Sequence, residues 1–175
     1  MRRAGIVAIF GLAAMWILAG VGGAASLDGA RASFDGLGAV KIGMKVADVE
    51  RALSIPLAVD SFGNKDMPCE RVWPSSGSAQ VHFLAVKGTI QRIDIEDQSI
   101  ATEQGAKIGD SEARIRSLYH EQILERPDPD FPEGHYLIVT SPDGKRAFLF
   151  ATDGDVVLTY RVGLRSSIEN IAGCE

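Results

Sequence analysis

Apolar residues in this chain change from helical to strand-like spacing in the same order twice. Val46, Val49, Ala52 and Leu53 predict a helix over residues 44–53, and Pro56 marks its exit because proline cannot continue a helix. Turn-forming residues predict a loop over 60–68. The alternation that follows predicts three strands, over residues 69–73, 79–86 and 89–96, with a hairpin turn at Lys87-Gly88.

The same order returns at an offset of 66 residues, where Lys41-Ile42-Gly43 recurs as Lys107-Ile108-Gly109. This second half predicts a helix over 111–122, a proline-rich loop over 126–134, and strands over 135–141, 145–151 and 155–162. A repeat of this length is typical of one supersecondary unit, duplicated so that two copies bury a shared face. We therefore expect an α+β fold of two tandem repeats, each a helical segment packed on an antiparallel β-meander.

The expected organisation follows from these patterns. It comprises a signal peptide over 1–25, a mature N-terminal segment over 26–35, a first repeat over 36–97, a linker over 98–104, and a second repeat with a C-terminal tail over 105–175.

The first 25 residues have the pattern of a secretory signal. Arg2 and Arg3 precede an apolar run over 6–21, and small residues follow it. We expect cleavage after Ala25, a periplasmic or secreted location, and no stable membrane insertion after cleavage. The alternative is a leader kept as an anchor, although the run is shorter than the roughly 20 apolar residues that a spanning helix prefers.

Charge and cysteine content narrow the class of protein. Removing the leader leaves 16 basic residues against 23 acidic ones, a net charge of −7. This acidity argues against nucleic acid or anionic lipid as a partner, because both require a basic stripe. The negative charge suits a basic protein partner. The alternative is that it only keeps the protein soluble. The two cysteines, Cys69 and Cys174, predict one disulfide in an oxidising compartment. They lack the histidine neighbours of a metal site, and we predict no metal and no cofactor.

The proline-rich loop carries the first candidate binding site. Asp128, Asp130 and Glu133 place three carboxylates around Phe131. Calcium is one possible ligand, but prolines stiffen the loop where calcium prefers flexibility. A pre-ordered acidic loop with an exposed aromatic tip fits protein binding better. The simplest interpretation is a plain surface loop.

Trp73 and Tyr136, on corresponding first strands, are further candidates for lining a concave sheet surface. Core or cross-strand packing is the more common role of such aromatics. His120, Glu121 and Glu125 could form a general acid and base pair, but no nucleophile or oxyanion donor accompanies them at a recognisable spacing, which favours a solvated helix end.

The stretch Ile42-Gly43-Met44-Lys45, with Val49, Leu53 and Pro56, resembles the start of two related families. These are the small lipoprotein subunit of the outer-membrane β-barrel assembly machine and the β-lactamase inhibitory protein, built from two tandem helix-on-sheet units. Ser54 and Lys45 depart from the common pattern, and the lipidated cysteine of the assembly subunit is absent. The resemblance implies the tandem architecture and a protein-binding role.

Together these features predict an exported, non-catalytic protein-binding module of the cell envelope, an inhibitor or an assembly accessory. Two alternatives stay open. One is a small periplasmic hydrolase that uses His120 and nearby carboxylates, and the other is a small-ligand binder with its site between the repeats. The oligomeric state does not follow from the sequence.

Overall fold

A computed structural model describes residues 26–77, 79–129 and 131–169. The predicted leader and the residue Cys174 lie outside these ranges. Cys69 lies within them and is buried. Because Cys174 lies outside the described residues, the pairing of the two cysteines stays a prediction.

The first half of the chain folds mainly into strands. Its elements are β1 (Arg31–Ser33), β2 (Gly36–Leu37), β3 (Val40–Lys41), α1 (Val46–Leu53), β4 (Leu57–Gly63), β5 (Pro68–Pro74), β6 (Val81–Val86) and β7 (Thr89–Ile95). Helix α1 has only eight residues and ends at Ser54, whose φ of 53° is left-handed.

The second half follows the same order. Its elements are β8 (Ala101–Thr102), α2 (Glu112–Tyr119), a 3-10 turn (His120–Gln122), β9 (Ile123–Pro127), β10 (His135–Thr140), β11 (Arg146–Thr152), β12 (Val157–Leu164) and the short helix α3 (Arg165–Ile168). Helix α2 begins 66 residues after α1, and the Ser111 hydroxyl caps it by accepting a hydrogen bond from the Arg114 N–H. It too ends at a left-handed residue, His120, with φ 49°.

Two sheets organise these strands. The larger has eight antiparallel strands in the order β4-β5-β6-β7-β12-β11-β10-β9. The two halves meet at the seam between β7 and β12, where Ile93 lies opposite Val162. The smaller sheet has the order β3-β2-β1-β8, and its β1–β8 pair is parallel.

The predicted α+β class is therefore wrong, because the chain is mainly β, with two sheets and three short helices. Two segments caused most of the error. Residues 57–63 and 123–127 form the edge strands β4 and β9, parts of which were expected to be loop. Val59, Phe62 and Leu124 on these strands are exposed. An edge strand exposed on both faces does not show the alternation that identifies a half-buried strand.

The main hydrophobic core joins one face of the large sheet to the small sheet and to helices α1 and α2. Phe148 is fully buried in it, with its ring centroid 4.9 Å from that of Phe34 and 5.9 Å from that of Phe150. A second, smaller cluster lies on the opposite face, where Ile168 of α3 packs with Ile138 and Leu149. We call that opposite face the outer face. Helix α3 covers one end of it, where it contacts β7, β12 and β11.

Candidate functional site

The outer face carries a groove of about 310 Å³ beside the part covered by α3. Both halves of the chain contribute its walls. The first half supplies Arg71, His82 and Asp94, and the second supplies Tyr136, Thr159 and Arg161. We call this the seam groove, because it lies across the junction of β7 and β12.

Strand alternation explains why charged side chains lie in the groove. Asp94 lies between the buried Ile93 and Ile95, and Arg161 lies between the buried Tyr160 and Val162. Successive side chains of a strand point to opposite faces, so isoleucine, tyrosine and valine enter the core and the charged residues face outward. Arg161 lies directly opposite Asp94 across the seam.

Arg92 is held firmly beside this pair. Its side chain is 5% exposed, and its Nε lies 2.9 Å from a carboxylate oxygen of Asp94. Its Nη1 also donates a hydrogen bond of 3.1 Å to the carbonyl oxygen of Ser167 in α3. A buried guanidinium requires such partners, because an unpaired buried charge is strongly unfavourable.

Arg161 has a different environment. Its guanidinium lies over the Tyr136 ring, 5.6 Å from the centroid. Burial lowers the pKa of Arg161, the nearby charge of Arg92 lowers it further, and the negative charge of Asp94 opposes both. Within the described ranges, no carboxylate oxygen lies within 4.0 Å of this guanidinium.

The predicted acidic loop reaches the rim of the seam groove. Phe131 is 51% exposed there, as expected for the tip of the loop. Asp128 instead is 7% exposed, and its backbone N–H donates to the Gly134 carbonyl oxygen. Glu133 is exposed and is not among the groove-lining residues. Asp130 lies outside the described residues. The loop therefore presents an aromatic side chain to the groove without displaying all of its carboxylates.

Gly134 determines how closely this loop approaches the sheet. A Cβ atom added there would lie 2.5 Å from the Thr152 carbonyl oxygen and 2.9 Å from the Phe131 Cβ. Only glycine permits this approach without a shift of the backbone.

The other two predicted aromatics lie on the same face. Tyr136 is buried beneath Arg161. Trp73 lines an adjacent hollow of about 240 Å³, and its ring makes an edge-on contact with the His82 ring at 6.0 Å between centroids. His82 and Glu96 line both the hollow and the seam groove, which therefore adjoin.

Sequence reasoning missed Arg92, Asp94 and Arg161, which supply the central charges of the seam groove. Their local signal was present, since each is a charged residue next to a buried apolar residue of its strand. The sequence does not show that these residues lie together in the fold, because Asp94 and Arg161 belong to different halves of the chain.

A second polar cluster lies at the first turn of α2. The Glu112 carboxylate accepts a hydrogen bond from the Thr152 hydroxyl at 2.5 Å and lies 2.8 Å from Nδ1 of His135. Arg116 also binds it, at 3.1 Å. Burial raises the pKa of Glu112, but the hydrogen bonds from Thr152, His135 and Arg116 together outweigh it and lower the pKa below its ordinary value. This cluster ties α2 to β10 and β11.

His120 does not join a catalytic arrangement within the described ranges. It is exposed, and its backbone N–H donates to the Arg116 carbonyl oxygen at the end of α2. Glu125 pairs with Arg116 at 2.7 Å and lies 3.6 Å from His135. No ion pair joins His120 to any described carboxylate.

The described ranges contain no group of three or more histidine, cysteine or acidic side chains placed to hold a metal ion. Among the helices in those ranges, none has the length and apolar character needed to cross a membrane.

No protein-family model matches the chain, and no curated protein sequence matches it. Among solved structures, it is similar to the uncharacterized protein yfeY from Escherichia coli, with a TM-score of 0.53 and 15% identity over 77% of this chain and 99% of that one. This likeness shows the fold alone. An extracellular protein containing a SCP domain from Bacillus anthracis str. Ames gives a TM-score of 0.48 at 7% identity, over 73% of this chain and 45% of that one, which carries no argument. The resemblance to the inhibitory and assembly families stays a prediction.

Proposed function

We propose that this chain is an exported, non-catalytic module of the cell envelope that binds a segment of a partner protein across the outer face of its large sheet. The seam groove is the observation that supports this proposal. It combines charged and aromatic side chains from both halves of the chain on the part of the face that α3 leaves open. A few precisely placed polar groups beside aromatic side chains are typical of a binding site.

The dimensions favour a polypeptide segment. The seam groove and the adjoining hollow extend from β5, which carries Trp73, to β10, which carries Tyr136. These strands are separated by β6, β7, β12 and β11. Five strand spacings of about 4.8 Å span roughly 24 Å. An extended segment of about seven residues, at roughly 3.3 Å per residue, has this length.

The arrangement of His82 supports a non-catalytic role. Its Nδ1 lies 3.8 Å from a carboxylate oxygen of Glu96. In the described part of the chain, no hydroxyl or thiol group forms a hydrogen bond with this imidazole. A nucleophile activated by histidine requires such a contact. This supports recognition, rather than activation of a nucleophile, as the proposed role of the groove.

Export is part of the proposal, and the predicted leader supports it. We propose a periplasmic or secreted mature chain that begins at Ser26. Mass spectrometry of the N-terminus of the protein purified from the producing cell tests this. An intact leader would overturn cleavage.

A second candidate function is the binding of a small ligand between the two halves. The volume of the seam groove, about 310 Å³, lies at the lower end of the usual range for small-molecule sites. A thermal shift with one member of a metabolite panel, lost in Arg161→Gln, would favour it over a protein partner.

Affinity capture with matched variants tests the main proposal. Wild type, Phe131→Ala and Trp73→Ala are compared with Phe62→Ala, which changes an exposed aromatic on the edge strand β4. We expect one envelope protein to be retained by wild type and Phe62→Ala, and to be reduced at least fivefold by either groove variant. Equal retention by all four proteins would refute binding at the seam groove.

A further inference from the structure

At the seam between β7 and β12, the guanidinium groups of Arg92 and Arg161 lie beside one carboxylate, that of Asp94. Asp94 forms its ion pair with Arg92, which also binds the Ser167 carbonyl oxygen. Arg161 lies opposite Asp94 across the seam, without a carboxylate within 4.0 Å in the described ranges. Among the described residues at the seam itself, two positive charges, those of Arg92 and Arg161, therefore lie beside the one negative charge of Asp94.

The partner of Arg161 only partly compensates its charge. The Tyr136 ring attracts a cation through its quadrupole, which is weaker than an ion pair with a carboxylate. A guanidinium has five N–H donors, and the contact that the structure shows for that of Arg161 is the one with the Tyr136 ring. No described carboxylate takes up these donors, so among the described residues they are left for a group that enters the groove.

The chemistry of the site selects a carboxylate with an apolar neighbour. A guanidinium held in one orientation by an aromatic ring matches the two oxygens of a planar carboxylate. Phe131, exposed at the rim of the same groove, supplies apolar surface beside it. Asp128 and Glu96 at the groove margin disfavour a ligand with several negative charges, such as phosphate.

We infer that Arg161 on Tyr136 is a carboxylate-binding subsite, and that the partner segment places one carboxylate there, with an apolar or aromatic residue next to it against Phe131. This inference rests on the function proposed above and identifies the chemistry of the segment. The negative net charge of the chain disfavours a strongly acidic partner, so the segment carries a single local carboxylate rather than an acidic run. The carboxylate is either an aspartate or glutamate side chain, or the C-terminus of the partner.

Three glycine-based heptapeptides serve as probes. The first two are blocked at both ends and place glutamate or glutamine at the centre between two phenylalanines. The third is blocked at its N-terminus only, ends in phenylalanine with a free C-terminal carboxylate, and carries no acidic side chain. Binding to the mature protein is measured by calorimetry, with inorganic phosphate as a further ligand. The variants are Arg161→Gln, Arg161→Lys and the control Arg114→Gln, whose side chain is exposed on α2.

We expect the glutamate peptide, or the peptide with the free C-terminus, to bind wild type at least tenfold more tightly than the glutamine peptide. Which of the two binds identifies the source of the carboxylate. The preference should fall below twofold in Arg161→Gln, remain in part in Arg161→Lys, and be unchanged in Arg114→Gln. If Arg161→Gln does not fold, binding to wild type is followed instead by the NMR signal of the Arg161 Nε–H. This signal should shift when the peptide with a carboxylate is added and should not shift with the glutamine peptide.

Three outcomes would overturn the inference. These are equal binding of the charged and neutral peptides, no measurable binding of any peptide, and phosphate binding more tightly than the carboxylate. The capture experiment with Phe131→Ala and Trp73→Ala tests the proposed function independently of the peptide measurements. A partner captured through the groove while all peptides bind equally would preserve the function and remove the carboxylate subsite.

Discussion

The loop that carries Phe131 is held against the sheet by a close approach at Gly134, and Gly134→Ala tests its importance. The φ of this glycine lies outside the left-handed region, so alanine can adopt the same backbone conformation. Without the steric contact, alanine would stabilise the fold by about 0.4 to 1 kcal/mol, because it lowers the conformational entropy of the unfolded chain. The added Cβ, however, would lie 2.5 Å from the Thr152 carbonyl oxygen. Reaching an ordinary contact of about 3.5 Å requires a shift of about 1 Å. Overpacking of this kind costs about 1 to 3 kcal/mol.

Subtracting the gain from the cost, we expect a net loss of about 0 to 2.6 kcal/mol of unfolding free energy, centred near about 1.3 kcal/mol. For a domain of this size the central loss corresponds to a fall in Tm of roughly 3 to 5 °C. The shift also moves Phe131, so partner capture should weaken in the same variant. Urea unfolding followed by circular dichroism measures the first effect.

Gly144→Ala is the matched control for capture. Gly144 has a left-handed φ of 73°, and a Cβ added there meets nothing within 4 Å. This variant should lose stability because of its backbone alone and should keep normal capture. A Gly134→Ala protein more stable than wild type would refute the steric argument.

Three further predictions follow from burial and charge. In urea unfolding, Phe148→Ala should lower the free energy of unfolding by about 3 to 5 kcal/mol, whereas Phe131→Ala should change it by less than about 0.5 kcal/mol. Similar losses in the two variants would contradict the placement of Phe148 in the core. The pKa of Glu112 is lower in the folded protein than its ordinary value of 4.5. The ionised carboxylate therefore contributes its full stabilisation above pH 4.5, and this contribution is lost as the pH falls through the folded pKa. The stability gap between wild type and Glu112→Gln should therefore narrow below about pH 4, and a gap that widens there would exclude this role. His120→Ala should leave capture unchanged, and a turnover activity lost in this variant would favour the hydrolase alternative.

The sequence located most of the local elements. The apolar spacing placed α1 within 44–53 and α2 within 111–122, and the alternation placed the central strands on either side of the Lys87-Gly88 turn. These elements have one buried face, so their side chains show the periodicity of burial. The same logic failed for the edge strands β4 and β9, whose largely exposed side chains show no such periodicity. Backbone pairing with a neighbouring strand forms an edge strand, and a sequence shows this pairing poorly.

The same distinction applies to the candidate site. Phe131 was predicted to lie at the tip of a stiff loop, because proline restricts the backbone locally. The charged centre of the seam groove depends on contacts between distant parts of the chain, since pairing of β7 with β12 brings Asp94 opposite Arg161.

Local spacing thus determined where the helices, turns and central strands lie, because those features depend on residues a few positions apart. The joining of two meanders into one sheet, and the meeting of Arg92, Asp94 and Arg161 on its outer face, were decided only by tertiary structure. Hydrogen bonding between β-strands involves the backbone, which all residues share, so local spacing alone does not reveal which edges meet.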